Sequence, residues 1–370
     1  MQDNNLTTKK VALGMSGGVD SSLSAHFLKQ QGFEVTGVYL ECWRAPGCRT
    51  EQDRKDALQV ALSLGIPFKV LDFKDTYKAK VVEYFFDEYQ KGRTPNPDVL
   101  CNKEIKFGLF YNWAMNNGFD YIATGHYAKV GSSDQQLTLQ VPKDAHKDQT
   151  YFLYRLKKEQ LPHILFPLAD LTKKEVRQEA KKRDIHVSDK KDSVGICFIG
   201  DINVTSFLKD RLGEKPGEVV DTKGNVIGKH KGIWFYTIGQ RHGFDIDNKV
   251  LIKTDTGETI IKQNIPPFYV ISKNAAKNQL VVGFGSETLS DHFNLDDTHW
   301  INSQPDQNSP LFVRIRHTGQ LLAGQLIKKD DQLLVKLDEA IQGIAEGQSA
   351  VFYTQQDRNL ICLGGGVIKY

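Results

Sequence analysis

The chain has 370 residues, more than one ordinary hydrophobic core organises, so two or three domains are expected. Its 40% hydrophobic and 25% charged residues describe ordinary globular composition, and a net charge of +3 does not by itself demand a polyanionic partner. No stretch approaches the roughly 18–20 apolar residues that span a bilayer, and Met1–Lys10 lacks a signal-peptide core, so no membrane partner and a cytoplasmic location are expected.

In chain order, Lys10–Gly14 (KVALG) is a continuous apolar run, as expected of a strand buried on both faces of a parallel sheet. Asp20–Gln31 carries Leu23, Phe27 and Leu28 on one helical stripe and stops at Gly32. Phe33–Leu40 (FEVTGVYL) predicts a second strand, Asp53–Leu64 a helix, Phe68–Leu71 a third strand and Tyr77–Tyr89 a helix. Lys103–Asn117 predicts another helix and Tyr121–Thr124 a buried strand. This alternation implies an α/β fold, a parallel sheet covered by helices on both faces. Beyond Ala128, Lys129–Val130 and Leu137–Val141 flank a polar tip and read as a hairpin. Leu171–Arg183 is a helix opened by Thr172 and Glu175 at capping-box spacing. From about Gly213 short alternating segments dominate: Tyr269–Ser272, Leu280–Val282, Phe312–Ile315, Leu333–Leu337 and Ala350–Tyr353. They predict a small β-barrel or sandwich. Boundaries drawn from these shifts give 1–210 as a catalytic α/β domain, 211–270 as a small central domain and 271–370 as a β-barrel.

The segment Ser16-Gly17-Gly18-Val19-Asp20-Ser21-Ser22 follows the first strand and opens the first helix. Two glycines let the backbone approach a ligand closely, and the amides of the turn point at one spot where the helix dipole favours an anion. Asp20 suits a Mg²⁺ that accompanies the phosphates. The segment is neither GxxxxGK[ST] nor GxGxxG; it resembles the SGGxDS loop of ATP pyrophosphatases, which cleave ATP between its α- and β-phosphates.

The five cysteines are Cys42, Cys48, Cys101, Cys197 and Cys362, an odd, scattered set that argues against a structural disulfide framework. Cys42 and Cys48 have no nearby residues to complete a zinc site. Cys101 follows the stiff Thr94-Pro95-Asn96-Pro97-Asp98 loop and is expected just before or at the start of the Lys103–Asn117 helix, where the dipole favours thiolate. Asp98 is a candidate general acid/base. Cys197 lies in an apolar run, Asp192–Gly200, which by itself reads as core. Upstream, Leu171–Lys191 holds eight Lys/Arg against four Asp/Glu, compatible with either a solvated helix face or phosphate contact.

Together the blocks GMSGGVDSS, GRTPNPDVLCNKEIKFG, ATGHYA, KDQTYFL, DSVGICFIG, YTIGQRHG and CLGGG, from residue 14 to 366, closely resemble the bacterial tRNA-specific 2-thiouridylases. The resemblance implies a pyrophosphatase-type α/β domain, a central domain and a C-terminal β-barrel. It implies ATP at Gly14, Met15, Ser16, Gly17, Gly18, Val19, Asp20 and Ser21, with Leu40 and Gly125 flanking the adenosine. Asn96, Pro97 and Asp98 would meet the target base. Lys147, Asp148, Gln149, His126, Arg316, His317 and Gln348 would contact tRNA. Cys101 would be the nucleophile and Cys197 the persulfide carrier, charged by a sulfur-donor protein. Two departures stand out: Leu40-Glu41-Cys42-Trp43 replaces the family's Met-Lys-Asn-Trp run, and Arg316-His317 occupies its basic-aromatic pair.

The implied activity is ATP-dependent 2-thiolation of the wobble uridine of tRNA. Adenylation turns uracil O2 into a leaving group, and sulfur from a persulfide displaces it, either by direct attack that Cys101 then resolves or as hydrosulfide freed when Cys101 attacks the persulfide first, with the two cysteines ending as a disulfide. A nitrogen-transferring pyrophosphatase would not need two thiols, and a non-catalytic RNA-binding protein would not turn ATP over.

Overall fold

The computed structural model describes residues 8–44, 50–133, 135–191, 203–247, 251–253, 259–261, 267–307, 309–329 and 332–370. Cys48, Cys197 and the whole Asp192–Gly200 block lie outside the described residues.

Val11–Leu13 sits at the centre of a parallel sheet because its neighbours on both sides are equally apolar. The strands are β1 (Lys10–Gly14), β2 (Glu34–Glu41), β3 (Phe68–Asp72), β4 (Tyr121–Ala123) and β7 (Ile164–Leu165), in the order β3-β2-β1-β4-β7. Between β4 and β7 the chain forms β5 (Lys129–Ser133) and β6 (Gln136–Gln140), the predicted hairpin. The helices are α1 (Val19–Gln30), α2 (Thr50–Leu64), α3 (74–90), α4 (97–116), α5 (Thr150–Leu153), α6 (Lys173–Lys182) and α7 (Val204–Leu212). Side-chain alternation splits the sheet. Val11, Leu13, Val35 and Tyr39 join a core with Leu23, Val60 and Val176, while Ala12, Val38 and Ile122 face Phe107 and Phe110 of α4. Helices therefore cover both faces, as predicted. The Thr172/Glu175 capping box is present: the Glu175 amide donates to Thr172 Oγ1 at 3.3 Å, and the Thr172 amide to Glu175 Oε2 at 2.6 Å.

A second sheet contains β8 (Gly217–Val220), β9 (Val226–His230), β10 (Asp245–Ile246), β13 (Tyr269–Asn274) and β14 (Gln279–Gly283), ordered β10-β9-β8-β14-β13. Between them β11 (Leu251–Lys253) pairs only with β12 (Thr259–Ile261) among the described residues. Strands β13 and β14, expected to open the barrel, instead pair with β8 and share its core of Val219, Ile227, Val270, Leu280 and Val282. Alternation marks a strand but not its sheet, so the expected break at residue 270 cuts through β13.

The last six strands close a barrel: β15 (Leu289–Trp300), β16 (Leu311–Arg314), β17 (Leu322–Lys329), β18 (Gln332–Gln342), β19 (Ser349–Gln356) and β20 (Asn359–Lys369). Their order is β15-β18-β17-β16-β19-β20, and β20 returns to β15. Phe293, Val313, Leu326, Val335 and Phe352 fill the interior. Hairpin β5–β6 adds to β20 through Cys362↔Leu139, so an insertion of the α/β unit is hydrogen-bonded to the barrel.

Candidate active site

The segment after β1 turns at the carboxyl ends of the strands, between β1 and β4, where the strand order reverses and open α/β sheets bind ligands. Gly17 has φ +74°, and a Cβ there would lie 2.1 Å from the Asp53 carbonyl oxygen, so only glycine fits. Ser16 Oγ and Ser21 Oγ lie 3.3 Å apart, and the Ser16 amide donates to Ser21 Oγ at 3.2 Å. Helix α1 starts at Gly18 with no side-chain cap, leaving its first amides to a ligand. Gly125 closes the opposite wall: a Cβ there would stand 2.8 Å from the Ser21 nitrogen. Such a cradle of backbone donors and hydroxyls fits a phosphate chain. Gly14, Met15 and Val19 shape it from below, Met15 and Val19 being buried in the sheet core. Leu40, at the end of β2, packs against the apolar cluster that contains Cys101 and Tyr77.

Two lysines reach this turn from distant sequence. Lys173, the first residue of α6, places Nζ 2.7 Å from both carboxylate oxygens of Asp20, and Tyr127 donates its hydroxyl to Asp20 Oδ1 at 2.9 Å. Lys190 donates to Gly17 O at 2.9 Å and to Asp53 Oδ1 at 2.7 Å, and also meets Asp56. The basic run around α6 is thus partly a brace for the loop, which no local pattern revealed. Asp20, its side chain 30% exposed and its oxygens met by Lys173 and Tyr127, is the acidic residue that would hold a Mg²⁺ accompanying the phosphates. Among the described residues no group of three or more His, Cys, Asp or Glu forms a separate metal site.

The loop before Cys101 is gripped by the barrel. The Thr94 amide donates to Glu346 O at 2.8 Å, and Gln348 Nε2 donates to Thr94 O at 3.0 Å and Pro95 O at 3.2 Å. Asn96 caps α4 by accepting from the Val99 amide at 3.3 Å, with Pro97 in the first turn. The helix therefore begins at Pro97, not near Lys103, because asparagine followed by proline is itself a helix-start signal. Cys101 lies one turn inside, its amide already bonded to Pro97 O and Asp98 O. It is 3% exposed, among Tyr77, Val81, Phe85, Ile105 and Trp234. The Asn102 side-chain nitrogen donates to Asp98 O at 2.9 Å, and its Oδ1 is buried without a hydrogen-bond partner.

The residues expected to meet tRNA divide by exposure. Lys147 and Arg316 are exposed. Asp148 is buried against Arg314 of the barrel and accepts from the Thr150 amide at 2.9 Å. Gln149 Oε1 accepts from the Tyr127 amide at 2.9 Å. His126 is buried between Phe107 and Phe166, bonded to Thr124 Oγ1 at 2.7 Å; burial, with Lys106 nearby, holds its pKa well below the usual histidine range. The His317 ring packs against Phe152 with 4.2 Å between ring centres and a 37° tilt, and burial lowers its pKa. Burial likewise drives the Cys362 thiol far above the usual range.

Three family models match consecutively: a tRNA methyl transferase HUP domain over residues 9–201, a tRNA methyl transferase PRC-barrel domain over 205–284 and an aminomethyltransferase β-barrel domain over 290–368. The tRNA-specific 2-thiouridylase MnmA 2 of Aliarcobacter butzleri is 40% identical, covering 98% of both chains. The tRNA-specific 2-thiouridylase MnmA of Lactobacillus johnsonii is 41% identical over 97% of this chain and 95% of its own. Among solved structures, the U34-tRNA thiolase NcsA of Methanococcus maripaludis aligns with 55% of this chain and 63% of its own, at 20% identity and TM-score 0.36. A 4-thiouridine synthetase–RNA complex with bound ATP covers 55% of this chain and 50% of its own, at 17% identity and TM-score 0.37.

Proposed function

The chain belongs to the tRNA-specific 2-thiouridylase family, tRNA-modifying sulfurtransferases with an ATP-binding domain, and on that premise we propose the route by which it thiolates the wobble uridine. The observation that carries the reading is the union of an uncapped anion cradle with the helix bearing Cys101. Phe110 of α4 lies against Gly14 just below the phosphate turn, and Leu40 joins the turn's rim to the Cys101 cluster.

The amides of Gly17 to Ser21 and the Ser16 and Ser21 hydroxyls hold ATP, with Leu40 and Gly125 beside the adenosine. Asp20 would hold a Mg²⁺, which would balance phosphate charge there. Uracil O2 attacks the α-phosphorus, pyrophosphate leaves, and C2 then carries AMP as its leaving group. The terminal sulfur of a Cys197 persulfide, charged by a donor protein, attacks C2 and expels AMP. The Cys101 thiolate next attacks the Cys197 sulfur, forming a Cys101–Cys197 disulfide and releasing the base as its 2-thio form. A two-electron thiol reductant restores both cysteines. Asp98, in the first turn of α4, moves the proton at the base, and Asn96 and Pro97 frame a uridine turned out of its stack. Lys190, seven positions before Cys197 in sequence, donates to Gly17 O. Lys147, Arg316 and the rim around Gln348 supply tRNA contacts. The domains run as a catalytic unit to about residue 203, a central unit to about 284 and the barrel beyond.

Mass spectrometry of nucleosides from tRNA incubated with protein, ATP, Mg²⁺, a persulfide sulfur donor and a thiol reductant tests this route. 2-Thiouridine with stoichiometric AMP and pyrophosphate is expected. Thiolation without ATP cleavage would overturn the adenylation step. Pyrophosphate release should vanish in Asp20→Ala, and unchanged release there would remove Asp20 from the site.

A further inference from the structure

The phosphate turn contains no lysine, yet Lys173 crosses 153 sequence positions to reach its only acidic residue. We infer that Lys173 is itself a ligand of the ATP phosphates, parked on Asp20 until Mg²⁺ takes its place. The inference rests on the ATP site proposed above.

Three features of the contact support an exchange rather than a permanent strut. First, the backbone of Lys173 is anchored independently of its ammonium, which meets Asp20 and lies 5.7 Å from the centre of the Tyr127 ring. Its amide donates to Asp144 Oδ2 at 2.8 Å beside the Thr172 cap, and its four-carbon stem can re-aim without moving α6. Second, Asp20 is held from another direction. Tyr127 donates to Oδ1 at 2.9 Å, so the carboxylate stays aimed at the turn when the ammonium leaves. Third, Asp20 stands in the first turn of α1, whose uncapped amides receive the anion. A hard divalent cation shared between this carboxylate and phosphate oxygens needs the oxygens that Lys173 now occupies. Once displaced, an ammonium 13% exposed beside a polyphosphate gains charge-assisted hydrogen bonds to it. Lys190 does not fill this role, since Gly17 O, Asp53 and Asp56 share its ammonium. Without nucleotide the pair keeps Asp20 from repelling an incoming phosphate, and with Mg²⁺ both partners turn to the ligand.

Calorimetric titration of the full-length protein with ATP, without tRNA or sulfide, tests the exchange. With Mg²⁺ present, Lys173→Gln should weaken ATP binding by about ten- to a hundredfold, the loss of one charged hydrogen bond, and Lys173→Arg should weaken it less. In EDTA the sign changes for the partner: Asp20→Ala releases Lys173, so metal-free ATP should bind more tightly than to the unmodified protein. That gain should vanish in the Asp20→Ala/Lys173→Gln double variant, a pattern that a packing role cannot produce. If Lys173→Gln binds Mg-ATP as tightly as the unmodified protein, or more tightly, Lys173 only locks Asp20 and the inference is overturned. Should Lys173→Gln fail to fold, as judged by its melting curve, the Asp20→Ala arm in EDTA still decides: no gain refutes the exchange. Failure of the unmodified protein to bind ATP at all would instead refute the ATP site on which the inference stands.

Discussion

Removing the Asp148 carboxylate should detach the barrel from the α/β unit before it weakens any tRNA contact. The side chain is 1% exposed and meets the guanidinium of Arg314, itself 11% exposed. Its other oxygen accepts from the Thr150 amide at 2.9 Å and from Thr150 Oγ1 at 2.7 Å. Asp148→Ala leaves a buried cation and a buried amide without their acceptor, and Arg314 Nε already lacks a hydrogen-bond partner. Stranding one member of a buried pair costs about 3–5 kcal/mol. Asp148→Asn, which keeps an acceptor for Thr150, should cost about 1–3 kcal/mol. Urea unfolding followed by tryptophan fluorescence reads this, because Trp300 packs on Phe352 of the barrel at 5.4 Å between ring centres. With a slope of about 2 kcal/mol per molar, the midpoint of the barrel transition should fall on the order of 2 M in Asp148→Ala. Arg314→Met should restore part of the loss in the double variant, because the stranded charge goes with it. An unchanged midpoint combined with weakened tRNA binding would refute the reasoning and make Asp148 an RNA contact.

Cys101→Ser should abolish sulfur transfer while calorimetric ATP affinity stays unchanged, and any full thiolation by it would remove Cys101 from the mechanism. Gly125→Ala forces a Cβ to within 2.8 Å of the Ser21 nitrogen and 3.0 Å of the Asp20 carbonyl carbon; it should cost about 1–3 kcal/mol in melting and weaken ATP binding. Gln348→Ala deletes two hydrogen bonds to Thr94 O and Pro95 O, so thiolation should slow with ATP affinity intact; an unaltered rate would show that the barrel does not set the loop. Burial lowers the Lys273 ammonium to about 7, while its Nζ donates to Tyr236 O at 2.7 Å. The unfolded chain then binds more protons than the folded one between about pH 7 and 10. Stability should therefore rise with pH there, by at most about 1.4 kcal/mol per unit, and Lys273→Met should flatten the slope measured from pH 7 to 9.

The sequence by itself determined the elements whose signals are local. The buried run Lys10–Gly14, the Gly17-Gly18 turn, the Thr172 capping box and the alternating strands after Gly213 each depend on neighbours within a few positions, so period and turn chemistry sufficed. Motif resemblance carried the family, since its blocks are spread along nearly the whole chain. What only the tertiary structure decided depends on long-range contact. Alternation could not say that Tyr269–Asn274 and Gln279–Gly283 pair with β8 rather than with the barrel, because partner choice leaves no period in a single strand. No spacing brings Lys173 to Asp20, Lys190 to Gly17 or Gln348 to Pro95, pairs separated by 153, 173 and 253 positions. Burial made the same division. Asp148 and His126 read as polar and available in sequence, yet packing turned one into an anchor between units and the other into a neutral core histidine, because desolvated groups need the partners found there.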